Sequence, residues 1–262
     1  MIKAIAFDLW ETLITDTPEL ARRQERLRLG RMEAILRRQG LVHGPDQIHN
    51  AYRSLWQRCQ ELYWSIDLDV PCRRQIEHFL EVLEVEPAML GEATLAELEK
   101  AYAGAALEIL PGVVPGAAEM LRILAHRELR VGLVCNTGRT PGSVLREVLI
   151  HLGLASSIDV MVFSNEVGVC KPQTAIFDTV RLGLDVGAGE MVFVGDNLYA
   201  DVHGAQRSGM RGVHFIPPAR GTAVAPAVAH ELTIVPDAVI YDLGELPGVV
   251  EDLQTTRLGI RQ

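Results

Sequence analysis

Asp8 ends a short apolar run, Ile2 to Phe7, and Thr12 follows it by four residues. A carboxylate at the mouth of a buried strand, with a hydroxyl nearby, is a candidate nucleophile in a pocket of phosphate size. Three further apolar runs end in polar groups that such a reaction needs. Asn136 and Thr137 follow the run Arg130 to Cys135, and Lys171-Pro172 comes shortly after Val160 to Phe163. Met191 to Gly195 leads into Asp196, Asn197 and then Asp201. Together they supply a nucleophile, hydroxyl and amide donors, a cation and two more carboxylates. Three carboxylates converging without a cation raise one another's pKa. A hard divalent ion resolves that repulsion, and Mg²⁺ suits partial carboxylate ligation completed by water and phosphate oxygens. Asp8, Asp196 and Asp201 are therefore the candidate metal ligands.

Taken singly, each residue has an ordinary structural explanation. A strand-end aspartate caps a turn, and an acidic residue in the position of Asp201 favours the dipole of a helix start. Lys171 alone would pass for a solvated surface cation. Their joint occurrence after successive strands is the informative feature, because parallel strands alternating with helices place such ends side by side.

That architecture is α/β. The runs Lys3 to Phe7, Arg130 to Cys135, Val160 to Phe163, Met191 to Gly195 and Gly212 to Ile216 read as buried strands, with a sixth at Val239 to Tyr241. The first four each precede a helical pattern, so the expectation is a doubly wound parallel sheet, Rossmann-like, with helices on both faces. Ligands of such sheets sit beyond the carboxyl ends of the strands, where the strand order reverses. Between the first and second strands, Pro18 to Ile109 shows helical spacing throughout, as in Leu27, Met32, Ile35 and Leu36. This is far longer than a βα connection. It predicts a helical domain over 16–109 inserted into a core formed by 1–15 and 110–262, placed as a lid over the site.

Hydrophobic residues make up 48% of the 262 and charged residues 23%, enough to bury a substantial core. The net charge of -9 argues against nucleic-acid and anionic-membrane partners and leaves a small anionic substrate. No apolar run reaches the ~18 residues that span a bilayer, and no signal-peptide pattern precedes the first strand. Cys59, Cys72, Cys135 and Cys170 form no CxxC pair, which fits reduced thiols. The expectation is a cytoplasmic protein, monomer or homodimer.

With these motifs in register over nearly the whole chain, the sequence resembles the haloacid dehalogenase superfamily, in the branch whose helical cap is inserted after the first motif. The resemblance implies a hydrolase in which Asp8 forms a covalent aspartyl intermediate and Thr12, Asn136 and Lys171 complete the catalytic set. It places the main-chain carbonyl of Trp10 beside Asp8, Asp196 and Asp201 as a ligand of Mg²⁺. It assigns substrate contacts to Trp10, Cys135 and Thr137, and to Arg58 of the cap.

Two departures qualify the substrate. Cys135 stands where the second motif usually has serine or threonine, and a thiol is a weak hydrogen-bond donor. Trp10 stands where the family's phosphatases have the aspartate that protonates the leaving group. Indole cannot do this, and loss of a general acid typically costs ~10²–10⁴ in rate. Glu11 is adjacent, but neighbouring side chains at a strand end point in different directions. The expected activity is a Mg²⁺-dependent phosphatase acting on a small phosphorylated metabolite, with good leaving groups favoured. A metal-independent 2-haloacid dehalogenase is the alternative favoured by Trp10 and by the stretch SLWQRCQELYW, against the intact Gly195-Asp196. A member that binds phosphorylated ligands without turnover is the third reading. Arg22, Arg23, Arg26, Arg28 and Arg31 read as a solvated helix face from which one arginine could clamp a substrate anion.

Overall fold

Strands with no polar face form only where both faces are covered, and the six apolar runs do so here. A computed structural model of the protein describes residues 1–218 and 233–256. Its main sheet comprises β1 (Ala4–Phe7), β4 (Arg130–Cys135), β5 (Val160–Phe163), β6 (Met191–Gly195), β7 (Arg211–Phe215) and β8 (Ala238–Ile240). A two-stranded ribbon adds β2 (Ile14–Thr15) and β3 (Gly112–Val113). The sheet runs β5-β4-β1-β6-β7-β8, every pair parallel. From β1 the chain builds outward to β4 and β5, then crosses back to β6, so the order reverses around β1. Phe7 is in register with Leu133 on one side and Val194 on the other, which brings the ends of β1, β4 and β6 level.

The helices are α1 (Pro18–Arg38), α2 (Pro45–Leu62), α3 (Cys72–Val82), α4 (Gly91–Ala103) and α5 (Ala105–Glu108) before the second sheet strand. After it come α6 (Ala117–His126), α7 (Gly142–His151), α8 (Ser164–Val167), α9 (Thr174–Gly183), α10 (Gly204–Arg207) and α11 (Leu246–Thr256). Alternation along β1 divides the core. Ile5 and Phe7 pack with α6, α7 and α11, while Ala4 and Ala6 face α9. On that second face β1 and the start of β4 carry small residues: a Cβ on Gly132 would lie 2.7 Å from Val180 of α9 and 3.3 Å from the Ala6 Cβ.

Helices α1 to α4 bury a third cluster of their own, from Met32 and Leu36 through Tyr52, Phe79 and Leu80 to Tyr102. Thr17 starts α1 by accepting a hydrogen bond from the Leu20 amide, with Pro18 at the first helical position. The inserted region is thus mainly helical, as its spacing predicts. The ribbon at its base is new: Ile14 pairs with Val113 and Thr15 with Gly112, clasping the chain where it leaves and re-enters the sheet region. Two-residue strands carry too little periodicity to be seen in a sequence. Single-residue shifts also occur, with Lys3 outside β1, β7 ending at Phe215 and β8 ending at Ile240. No helix among the described residues is long and apolar enough to cross a membrane.

Candidate active site

Asp8 is the first residue beyond β1, and its amide donates to the Val194 carbonyl of β6, 2.9 Å away. The chain then turns sharply. Glu11 adopts a left-handed conformation (φ 60°), and the Leu13 and Ile14 amides return to the Leu9 carbonyl. This tight loop carries Thr12 back to the nucleophile candidate, where its hydroxyl donates to Asp8 Oδ2 at 3.2 Å. The Glu11 carboxylate accepts from the Thr15 hydroxyl at 2.9 Å, on the ribbon strand β2. The Trp10 ring is half-buried and packs against the sheet's cluster with Phe7 and Leu9.

Lys171 lies in the segment after α8. Its buried ammonium is 2.5 Å from Asp8 Oδ1 and 2.7 Å from Asp201 Oδ1. Asn136 holds that segment rather than pointing its amide at open space. Its Oδ1 accepts from the Lys171 amide at 2.9 Å, and its Nδ2 donates to the Lys171 carbonyl at 3.1 Å. The loop after β4 thus fixes the main chain that presents the cation.

Beyond β6, Asn197 caps a π-helical turn, Leu198–His203, by accepting from the Tyr199 and Ala200 amides. The turn swings Asp201 back, so that its Oδ2 accepts from the Asn197 amide at 3.0 Å. Gly195 makes this possible, because a Cβ there would overlap the Asp201 carboxylate. His214 Nε2 lies 3.0 Å from the Asp196 main-chain oxygen and steadies the same loop.

Burial is the chief influence on Asp8 and raises its pKa to about 6; Lys171 works against that rise and Asp201 adds to it. Burial opposes the charge on Lys171, but Asp201 and Asp8 hold its pKa above the ordinary lysine value. One ammonium contacts two of the three carboxylates but offsets a single charge, so with all three ionised the cluster is net negative.

A cation suits that cluster. Asp8, Asp196 and Asp201 each offer a carboxylate oxygen, all within 4.8 Å of one another. Asp201 Oδ1 is buried and has the Lys171 ion pair but no hydrogen bond of good geometry, leaving a lone pair for a ligand. Oxygen donors of this number and charge match Mg²⁺ rather than a softer metal.

The remaining sequence candidates have other partners. The Cys135 thiol is buried, donates to the Asn136 carbonyl at 3.5 Å, and is pushed well above the usual thiol pKa by burial. Arg58 pairs with Glu81 at 2.9 Å within the helical insertion. Of the arginine stretch, Arg22, Arg23 and Arg26 are exposed, and Arg31 pairs with Glu108. Arg28 is buried and donates to the Tyr102 carbonyl and the Tyr52 hydroxyl.

Thr137 is drawn into a network that no sequence pattern singles out. Its hydroxyl donates to Asp69 Oδ2 at 3.0 Å, and its amide donates to Ser164 Oγ at 2.9 Å. Ser164 Oγ also donates to Asp69 Oδ2. The other Asp69 oxygen accepts from Trp64 Nε1 at 2.9 Å and the Val70 amide at 2.7 Å. Main-chain bonds reinforce the seam: Asp69 N to Gly168 O at 3.0 Å, and Cys170 N to Asp67 O at 2.8 Å. The helical insertion is therefore tied to the segment that ends in Lys171. In sequence, Asp67 to Pro71 has the composition of a turn, and nothing in a turn signal distinguishes a surface aspartate from a buried one.

Comparison with known proteins agrees with the motif order. The family model for haloacid dehalogenase-like hydrolases matches residues 2–209. A ribulose-1,5-bisphosphate 5-phosphatase of Halopiger xanaduensis is 29% identical, over 95% of this chain and 100% of its own length. A glyceraldehyde 3-phosphate phosphatase of Pyrococcus abyssi is 30% identical, over 82% of each chain. A 2-haloacid dehalogenase structure from Pseudomonas syringae pv. Tomato shares the fold, with TM-score 0.66 and 22% identity over 96% of this chain and 99% of that one. The match to the family model over residues 2–209, most of the chain, decides the matter: this chain belongs to the haloacid dehalogenase-like hydrolases.

Proposed function

We propose that the protein is a Mg²⁺-dependent phosphatase that hydrolyses a small phosphorylated metabolite through a phosphorylated Asp8. The observation that carries this reading is the convergence of Asp8, Asp196 and Asp201 within 4.8 Å, with Lys171 against two of them. Asp8, Asp196 and Asp201, with the Trp10 carbonyl, would hold Mg²⁺, which when bound supplies charge stabilisation to the phosphoryl oxygens. A carboxylate oxygen of Asp8 attacks phosphorus, the ester oxygen departs with the bond electrons, and water later cleaves the acyl phosphate. Lys171 neutralises the nucleophile and the transferring group. Thr12 orients the Asp8 carboxylate, and Asn136 positions Lys171 through its main chain. The helices of 16–109 act as the cap that covers this centre, and 1–15 with 110–262 form the catalytic domain.

Trp10 sets the chemistry's limit. Its ring offers no proton to the departing oxygen, so the substrate's leaving group must tolerate departure as an anion. The same residue favours a second reading, a dehalogenase expelling halide, which needs no protonation. The acidic cluster weighs against it, because a halide-displacing nucleophile beside two further carboxylates gains nothing from them. Phosphate release from an aryl phosphate in Mg²⁺, lost in excess chelator and in Asp8→Asn, is the expected result. Halide release from 2-chloropropionate at full rate in chelator would establish the dehalogenase instead.

A further inference from the structure

Arg139 sits three residues beyond Asn136, on the loop that follows β4, and among the described residues no carboxylate pairs with its charge. We propose that it forms a subsite for a second anionic group on the substrate, so that the preferred phosphate ester carries a carboxylate or another phosphate. The inference rests on the phosphatase reading for the identity of the first group.

Arg139 faces the helical insertion across the seam. Its guanidinium carbon lies 3.8 Å from the centre of the Trp56 ring and 5.0 Å from that of Tyr52. The half-buried side chain keeps some exposure, yet its Nε is buried and makes no hydrogen bond among the described residues. Arg28 provides the contrast. It too stacks on Tyr52, but its donors reach the Tyr102 carbonyl and the Tyr52 hydroxyl. Stacking therefore does not by itself leave a guanidinium unsatisfied in this seam. A planar fork held against an aromatic face with its donors unspent is organised to receive a planar or tetrahedral oxyanion.

The surroundings keep the fork in place. Gly138 has φ 60°, its carbonyl accepts from Gln75 Nε2 at 2.9 Å, and a Cβ there would lie 3.5 Å from Trp56. Trp56 in turn packs on Trp64, with ring centres 4.4 Å apart. Asp69, an acidic residue of this seam, already accepts four hydrogen bonds from Thr137, Ser164, Trp64 and Val70. Through Asn136 the same loop is bonded to Lys171, and Lys171 to Asp8. An anion on Arg139 would thus lie at one end of a continuous chain of contacts whose other end is the nucleophile.

The test compares 4-carboxyphenyl phosphate, its neutral 4-carbamoylphenyl counterpart and 1,4-phenylene bisphosphate. Dissociation constants are measured by calorimetry in Mg²⁺ on the Asp8→Asn chain, and kcat and KM on the active protein. Binding is thereby decided even if turnover is absent, which would count against the phosphatase reading alone. The anionic probes should bind roughly 10- to 100-fold more tightly than the amide, as expected for a charge-assisted pair. That ratio should collapse in Arg139→Met and recover in part in Arg139→Lys, with the change in KM rather than kcat. The tighter of the two anionic probes identifies carboxylate or phosphate as the second group. Equal binding of all three probes, or a ratio unchanged by Arg139→Met, would overturn the proposal and leave Arg139 as a stacking contact.

Discussion

The Thr137 hydroxyl lies 3.0 Å from Asp69 Oδ2, joining the loop after β4 to a residue of the helical insertion 68 positions earlier. Because Asp69 also binds Ser164, Trp64 and the Val70 amide, its removal strands several buried donors at once. Asp69→Ala should therefore cost about 2–4 kcal/mol of stability, read from urea unfolding. Thr137→Val should cost about 1 kcal/mol. If the two variants are equally stable, the network is not what holds the seam.

Gly195 tests how the acidic cluster is built. A methyl at this position would occupy the space of the Asp201 carboxylate, which the Asn197 amide otherwise fixes at 3.0 Å. Gly195→Ala should weaken Mg²⁺ affinity, raising the half-saturating concentration by roughly 10-fold or more, in the range of disrupted ligand-orienting contacts. A Mg²⁺ titration of activity that superimposes on that of the wild type would show Asp201 to be dispensable.

Trp10 predicts a kinetic signature. Without a general acid at that position, the logarithm of kcat/KM for aryl phosphates should fall steeply as the leaving-group pKa rises. Trp10→Asp should flatten the plot and accelerate poor leaving groups most, within the ~10²–10⁴ that such a group supplies. A flat plot for the wild type would mean that another proton donor reaches the departing oxygen.

Asp16, at the base of the insertion, predicts a pH dependence. Burial raises its pKa to about 6, Glu11 adds to the rise, and the hydrogen bond from Gln24 with the charge of Arg28 opposes it. A carboxyl whose folded pKa is raised contributes fully below the unfolded value near 3.8 and loses that contribution as pH climbs through 6. Asp16→Asn keeps an oxygen for Gln24 and has no proton to lose. Its melting temperature should exceed that of the wild type at pH 8 by roughly 2 °C or more, with the gap closing by pH 4. A gap independent of pH would remove Asp16 as the cause.

The sheet and the clustering of the candidate site residues were legible because they leave long or repeated signals. Continuous apolar runs such as Met191 to Gly195 are what a doubly covered strand requires; Asp8, Asn136 and Asp196 stand just beyond such runs, and Lys171 follows the short helix after another. The structure adds how they are held: Asn136 grips the Lys171 main chain, and a π-helical turn returns Asp201 to the cluster. What the sequence hides is contact between distant segments. Asp69 and Ser164 are 95 residues apart, and Arg139 meets Trp56 only because the loop after β4 faces helix α2. No spacing rule links such pairs. Arg58 shows the converse, since its place in a motif-like stretch says nothing of the Glu81 that occupies it.

If Asp8 is the nucleophile that takes up the phosphoryl group, acid-quenched mass spectrometry detects it directly. After incubation with an aryl phosphate and Mg²⁺, the peptide containing Asp8 should carry a phosphoryl group. The adduct should accumulate, because Trp10 supplies no base for its breakdown, and it should be absent in Asp8→Asn. Phosphate release with no adduct on Asp8 at any quench time would contradict the account, because water would then be attacking the substrate itself.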